Sequence, residues 1–181
     1  MQVEAWDEVF IRCRRERVNG LIVDVANWSL WWPGLQLETT DWGHQLDFRT
    51  RLPLPARQRL GLQVDRVRPR DKGLEFTVSG DVVGTGEWYH LDQPAGVVVH
   101  YLLRGELTHG NARRWVAAHR HVVRVGLTAL KRRLEGGRPP GAEPHPELLA
   151  HQARELAIFA EEVAAHEVKL AQTSAVNGGE G

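Results

Sequence analysis

The chain has 181 residues, of which 42% are hydrophobic and 25% are charged, the composition of a water-soluble protein with its own core. Its 23 basic residues balance 23 acidic ones, so no net field attracts nucleic acid or an anionic membrane. The single cysteine, Cys13, excludes an intrachain disulfide and a thiolate zinc site. No secretory signal is visible at the N-terminus, and together these features predict a cytoplasmic protein.

The N-terminal third contains one predicted strand and one predicted helix. Residues 9–13 are a short apolar run typical of a strand, and residues 16–26 place apolar side chains at helical spacing on one side. A tryptophan-rich connection then leads to Pro33-Gly34, which ends any short helix there.

From residue 35 to 107 the pattern changes to period two, which predicts antiparallel strands with one buried face. The inward positions are Leu46, Phe48, Thr50, Leu52, Leu60, Leu62, Val64, Leu74, Phe76 and Val78. Turn signals separate the runs, including residues 41–43, 53–55, 69–73 and 93–96. We expect about seven strands in total.

Helical spacing returns at residues 111–135, where Asn111 is the predicted N-cap and Gly136 the predicted stop. Residues 137–146 have the composition of a linker. Beyond it, a second amphipathic helix is predicted at 147–172, followed by a disordered tail at 173–181. Its apolar side chains recur every seven residues: Leu149, Leu156, Val163 and Leu170, with Phe159 on the same side.

These elements predict an α+β domain at residues 1–136. A sheet with one apolar face must cover it, and only the helix at 111–135 is long enough to do so. A twisted antiparallel sheet curls around such a helix, and a gap between the two would be a ligand cavity.

Three segments, spread over residues 5–136, resemble the SRPBCC superfamily. Residues 21–28 with Trp32-Pro33-Gly34 look like its helix, Asp, Trp and Pro-Gly segment. Residues 84–88 and 97–101 are similar to its last strand pair, and residues 129–135 resemble its helix ending. The resemblance implies a START-like, helix-grip fold, nearest the polyketide cyclase/dehydrase and lipid-transport branch. It also implies a cavity for an apolar or aromatic molecule, which some members transform and others only carry.

The last strand pair contains the best candidate site. If Asp92 pairs with Val97, then His90 faces Val99 and Trp88 faces Tyr101, all on the apolar side. His90 and Tyr101 could orient a carbonyl or phenol, and they are the candidate catalytic residues. From the helix, Trp115 and His119 share one face. The residues expected to contact a ligand are Trp32, Phe48, Phe76, Trp88, His90, Tyr101, Leu103, Trp115 and His119.

Two other patterns are weaker. His119 and His121 diverge by about 200° on a helix, so they cannot hold one ion, and we expect neither a metal nor another cofactor. The patch of Trp28, Trp31 and Trp32 is either a plug at one end of the sheet or a gate at the cavity mouth.

The sequence therefore predicts a protein that binds a hydrophobic small molecule, aromatic, polyketide-like or lipid-like, between sheet and long helix. One alternative is an aromatase/cyclase or dehydrase that uses His and Tyr for acid–base chemistry. The other is a ligand-free interaction module. The seven-residue repeat at 147–171 allows a homodimer, and neither nucleic acid nor membrane insertion is expected.

Overall fold

A computed structural model describes residues 1–50 and 56–138 of the first unit, and selected positions of a second unit. The first unit comprises Met1–Glu143 and the second Pro144–Gly181. In the second unit the described positions are 146, 149–151, 153, 154, 156–158, 160, 161 and 163–166.

The described residues of the first unit form seven strands and three helical segments. The strands are β1 (Gln2–Ile11), β2 (Leu35–Thr40), β3 (Gly43–Thr50), β4 (Ala56–Val67), β5 (Gly73–Gly80), β6 (Val82–Gln93) and β7 (Gly96–Leu107). The helical segments are α1 (Arg15–Val23), a 3-10 helix (Val25–Leu30) and α2 (Ala112–Glu135).

All seven strands form one antiparallel sheet in the order β1-β7-β6-β5-β4-β3-β2. Helix α2 contacts β1 at one edge of this sheet and β3 next to the other edge. One helix reaches both sides only if the sheet curls around it, as twisted antiparallel sheets do. The predicted α+β helix-grip architecture is therefore confirmed.

The period-two pattern correctly identifies the inner face of β3, β4 and β5. Its buried side chains there include Leu46, Phe48, Leu60, Leu62, Leu74, Phe76 and Val78. Val64 is only half-buried, because the β4–β5 register shifts between Val64 and Arg66. The predicted inward side chains of Thr50 and Leu52, and the turn at 53–55, lie outside the described residues.

The sequence predicted the first strand at residues 9–13, whereas in the structure this strand runs from Gln2 to Ile11. Its alternation was obscured by Asp7, a carboxylate at an inward position, and by the outward aromatic rings of Trp6 and Phe10. Asp7 is tolerated there because Arg120 and Arg124 donate hydrogen bonds to it at 2.7–3.2 Å.

The predicted helix at 16–26 is divided. Helix α1 ends at Val23, where Asp24 adopts φ −85° and ψ 66°, outside the helical region. The 3-10 helix then begins at Val25, and the amide of Asn27 donates to the carbonyl of Asp24 at 3.1 Å. This tighter segment carries Trp28 into the core.

Helix α2 has the predicted boundaries and caps. The side chain of Asn111 accepts a hydrogen bond from the amide of Arg114 at 2.9 Å. Gly136 ends the helix in the left-handed conformation, φ 62°, which glycine adopts without steric cost. The buried side of α2 includes Ala118, His119, Val122, Val123, Gly126, Leu127, Leu130 and Leu134.

In the second unit the described positions between 146 and 166 are helical, and all of them except Pro146, which was predicted as the end of the linker, lie within the range predicted for the second amphipathic helix. Leu149, Leu156 and Val163, three members of the seven-residue repeat, are exposed. Phe159, Leu170 and the predicted tail lie outside the described residues. Among the helices that the structure describes, none has the length and hydropathy needed to cross a membrane.

Candidate functional site

The pairing of β6 with β7 places the predicted cluster on the inner face of the sheet. Asp92 pairs with Val97, His90 with Val99 and Trp88 with Tyr101, the register expected from the sequence. The rings of Trp88 and Tyr101 make an edge-to-face contact with their centroids 4.9 Å apart. Both side chains are buried beneath α2.

Tyr101 begins a chain of hydrogen bonds that joins the sheet to α2. Its hydroxyl lies 2.9 Å from His119 Nε2, and His119 Nδ1 lies 2.9 Å from Gln58 Oε1. Gln58 Nε2 in turn donates to the main-chain carbonyl of Trp115 at 3.0 Å. The chain therefore runs from β7 to α2, continues to β4 and returns to α2.

The direction of this chain follows from its last member. A carbonyl can only accept, so the amide nitrogen of Gln58 faces Trp115 and its oxygen faces His119. His119 Nδ1 then carries the proton, and Nε2 accepts from the Tyr101 hydroxyl. Each polar atom named in the chain has a partner of the right kind.

Burial keeps the central pair uncharged. It lowers the pKa of His119 to about 3, because the imidazolium form loses its hydration. Burial also raises the pKa of Tyr101 well above its usual range. At neutral pH the pair is thus a neutral imidazole and a neutral phenol, suited to holding a polar group in place.

His90 lies on the same face but belongs to a different set of contacts. Its Nδ1 atom is 2.9 Å from the carbonyl oxygen of Asp71, in the turn between β4 and β5. Burial lowers the pKa of His90 as well, although the hydrogen bond to Asp71 opposes this. His90 Nε2 and Trp88 Nε1 are buried without a hydrogen-bond partner among the described residues.

The tryptophan patch extends into the core beside Trp88. The ring centroids of Trp28 and Trp32 each lie 5.8 Å from that of Trp88, and Trp31 stacks on Trp32. Trp28 Nε1 donates to the carbonyl of Ile22 at 2.9 Å, and Trp32 Nε1 donates to that of Val122 at 3.0 Å. These bonds anchor the patch to α1 and α2.

The other predicted contact residues complete an aromatic interior. Phe48 meets His119 edge to face at 6.0 Å, Phe76 stacks with Tyr101 at 6.2 Å, and Leu103 is fully buried. Trp115 stacks on His119 with centroids 4.7 Å apart. These rings contact one another directly, so a ligand entering here must displace some of them.

A cleft of about 270 Å³ lies at the N-terminal end of α2, beside this interior. Gln58, Trp115 and Ala118 line its inner part, and the first two also belong to the chain that begins at Tyr101. Its rim consists of Arg57, Asp81, His109, Gly110, Asn111 and Arg114. Through Gln58 and Trp115, both in contact with His119, this cleft adjoins the buried hydrogen-bond chain.

The sequence reasoning missed Gln58 as a member of the site. Gln58 precedes Leu60 by two positions, so the period-two pattern that places Leu60 inside also places Gln58 inside. A buried amide on an apolar face needs partners, and this was the signal available. Asn19 was missed too; its side chain accepts from the amide of Gly73 and donates to Asp71.

His119 and His121 lie on different sides of α2, since the first is buried and the second exposed. Among the residues that the structure describes, no three His, Cys, Asp or Glu side chains are grouped to hold a metal ion. Burial raises the pKa of the Cys13 thiol to about 11, so it stays protonated and unreactive.

No family model and no curated protein matches the sequence. Solved structures do match the fold. The Zhui aromatase/cyclase from Streptomyces sp. R1128 aligns with a TM-score of 0.61 and 11% identity over 79% of this chain and 99% of its own. TTHA0849 from Thermus thermophilus aligns with a TM-score of 0.54 and 21% identity over 75% and 99%. A START superfamily protein from Mycobacterium smegmatis has a TM-score of 0.54 and 12% identity over 74% and 97%.

Proposed function

We propose that this chain, which has the START-like, helix-grip fold of the SRPBCC superfamily, binds an apolar aromatic molecule between its sheet and α2. The observation that carries the proposal is the neutral Tyr101–His119–Gln58 chain, set among aromatic rings and next to an open cleft. A mostly apolar interior with a few placed polar groups is the usual composition of a small-molecule site.

The driving force is burial of the ligand's apolar surface, about 25 cal/mol per Å². The aromatic rings of Phe48, Phe76 and Trp88 favour a planar ligand, because rings stack or meet edge to face at centroid distances of roughly 4.5–7 Å. The oxygen of Tyr101, which donates its own hydrogen to His119, keeps lone pairs that can accept from the ligand.

Entry is proposed through the cleft at the N-terminal end of α2. Trp115 is half-buried there and stacks on His119. Rotation of this indole away from His119 would join the cleft to the aromatic interior, and the same ring would then cover the bound ligand. Trp115 is thus the proposed gate, whereas Trp28 and Trp32 are anchored by hydrogen bonds.

Binding is preferred to catalysis because of the charge states in the interior. A general acid or base works best when its pKa is near the working pH. The lowered pKa values of His119 and His90 and the raised pKa of Tyr101 instead favour fixed neutral hydrogen bonds. An aromatase/cyclase would turn over a linear poly-β-ketone analogue and lose that turnover in His90→Ala and Tyr101→Phe.

The test uses N-phenyl-1-naphthylamine, an uncharged aromatic dye whose fluorescence rises in apolar surroundings. We expect saturable binding and a higher melting temperature. Ala118→Phe, which fills the inner part of the cleft, should weaken binding by about tenfold or more. Ala117→Phe is the matched control, because Ala117 neighbours Ala118 on α2 but does not line the cleft. Equal affinity in both variants, or no dye binding at all, would refute the proposal.

A further inference from the structure

Two adjacent inward positions of β6 carry buried polar atoms with no hydrogen-bond partner among the described residues. They are the indole Nε1 of Trp88 and the Nε2 of His90, and both side chains are fully buried. Leaving such a group unpaired costs its full desolvation penalty, so native proteins nearly always satisfy it. Two exceptions on one face of one strand call for a shared explanation.

The two atoms have opposite hydrogen-bonding character. The indole nitrogen of Trp88 can only donate. His90 Nδ1 faces the carbonyl oxygen of Asp71 at 2.9 Å, and a carbonyl only accepts, so Nδ1 carries the hydrogen. In the neutral ring Nε2 is then an acceptor. These two positions of β6 thus offer one free donor and one free acceptor, and the indole nitrogens of Trp31 and Trp115 are further buried donors without a partner among the described residues.

The two side chains occupy neighbouring inward positions of β6. Residues two apart on a strand point to the same face and lie roughly 6.6 Å apart along it. The pairing of Trp88 with Tyr101 and of His90 with Val99 places both on the inner face. A hydroxyl oxygen that accepts from one nitrogen and donates to the other, at about 2.9 Å each and a roughly tetrahedral angle, joins nitrogens about 4.7 Å apart.

We propose that the ligand is a hydroxylated aromatic molecule whose hydroxyl accepts from Trp88 Nε1 and donates to His90 Nε2. This inference rests on the proposed function and names the ligand class. A hydroxyl is the smallest group that both donates and accepts. A ketone, an ether or a carboxylate only accepts and would leave His90 Nε2 unpaired. The aromatic part displaces some of the rings packed around Trp88, which include those of Trp32 and Tyr101.

The experiment compares 2-naphthol with 2-methylnaphthalene, which has a similar shape but no hydroxyl. The wild-type protein should bind 2-naphthol about 5- to 20-fold more tightly, the worth of one or two hydrogen bonds. Trp88→Phe removes the donor and should reduce this preference to about twofold or less. Trp6→Phe is the control and should keep the preference, because Trp6 is exposed on the outer face of β1.

A measurement on the unmodified protein covers the case in which Trp88→Phe does not fold. The indole N–H resonance of Trp88 should move on addition of 2-naphthol and not on addition of 2-methylnaphthalene, as expected for a new hydrogen bond. If both compounds bind equally well and neither moves that resonance, the inference is overturned while the proposed function stands. If neither compound binds, the proposed function itself is overturned.

Discussion

The indole of Trp32 occupies the space that a side chain at Gly126 of α2 would need. A Cβ atom there would collide with the indole ring, whose Nε1 donates to the carbonyl of Val122 one turn earlier. Glycine inside a helix normally costs about 1 kcal/mol relative to alanine. Here the missing side chain lets the tryptophan patch pack directly on the helix backbone.

Gly126→Ala should therefore destabilise the protein by about 1–3 kcal/mol, because the clash outweighs the gain in helix propensity. Gly20→Ala is the control, since Gly20 is exposed in α1 and nothing lies near the position of its added Cβ. That change should be neutral or stabilise by up to about 1 kcal/mol. Urea unfolding of both variants measures the difference, and a stabilising Gly126→Ala would contradict the packing described here.

Tyr101→Phe should cost about 1–3 kcal/mol of unfolding free energy. The substitution removes the hydroxyl that satisfies His119 Nε2 and leaves a buried acceptor unpaired. The chain offers a matched control in its second tyrosine, Tyr89, which is half-buried on the outer face of β6. Tyr89→Phe should change the unfolding free energy by less than about 0.5 kcal/mol. Equal effects at the two positions would show that the hydroxyl of Tyr101 contributes nothing specific.

Acidification should lower the stability through the titration of His119. In the unfolded chain this imidazole takes up a proton near pH 6.5, whereas burial lowers its pKa to about 3 in the folded chain. Between these values only the unfolded state binds the proton, so each unit of acidification removes up to about 1.4 kcal/mol. The stability that the folded protein has with a neutral His119 is fully present above pH 6.5, and it is lost as the pH falls toward 3.

Unfolding free energies of the wild type and His119→Gln at about pH 7, 6, 5 and 4 test this expectation. Glutamine does not titrate, and its amide can still accept from Tyr101 and donate to Gln58. The unfolding free energy of the variant should fall less steeply with acidification, because its unfolding takes up about one proton fewer. Parallel curves would mean that His119 titrates alike in the folded and unfolded chain.

Glu135 joins the C-terminal end of α2 to Arg12, directly after β1, and should contribute most to stability above pH 4.5. Burial alone would raise its pKa, but hydrogen bonds from the amide and guanidinium of Arg12 and from Lys131 lower it to about 2. This stabilisation is present above the ordinary value of 4.5 and disappears as the pH falls toward 2.

Glu135→Gln should therefore destabilise by about 3 kcal/mol at pH 7, because it removes the charge that compensates half-buried cations. The deficit should shrink below about pH 4. Glu106→Gln serves as comparison, since its ion pair with the N-terminus is exposed and worth less than about 1 kcal/mol. A deficit that stays constant from about pH 7 to pH 3 would be inconsistent with a charge effect.

Much of the fold could be predicted from the chain alone, because local periodicity reports which side of an element is buried. Alternation identified the inner face of β3–β5, and the short turn at 93–96 determined the pairing of Trp88 with Tyr101. Helical spacing, Asn111 and Gly136 marked α2. Where an inward residue was charged, as at Asp7, the same signal failed, because the pattern cannot show that Arg120 and Arg124 lie within reach.

The contacts that make the candidate site depended on the tertiary structure. His119 meets Tyr101 and Gln58, which are 18 and 61 residues away, and Trp32 meets Val122 across 90. Periodicity places each of these side chains on an inner face. It does not show which positions along α2 lie opposite which strand residues, or at what angle α2 crosses the sheet. Those follow from how the sheet curls around α2, and that geometry alone brings the donors and acceptors within hydrogen-bonding distance.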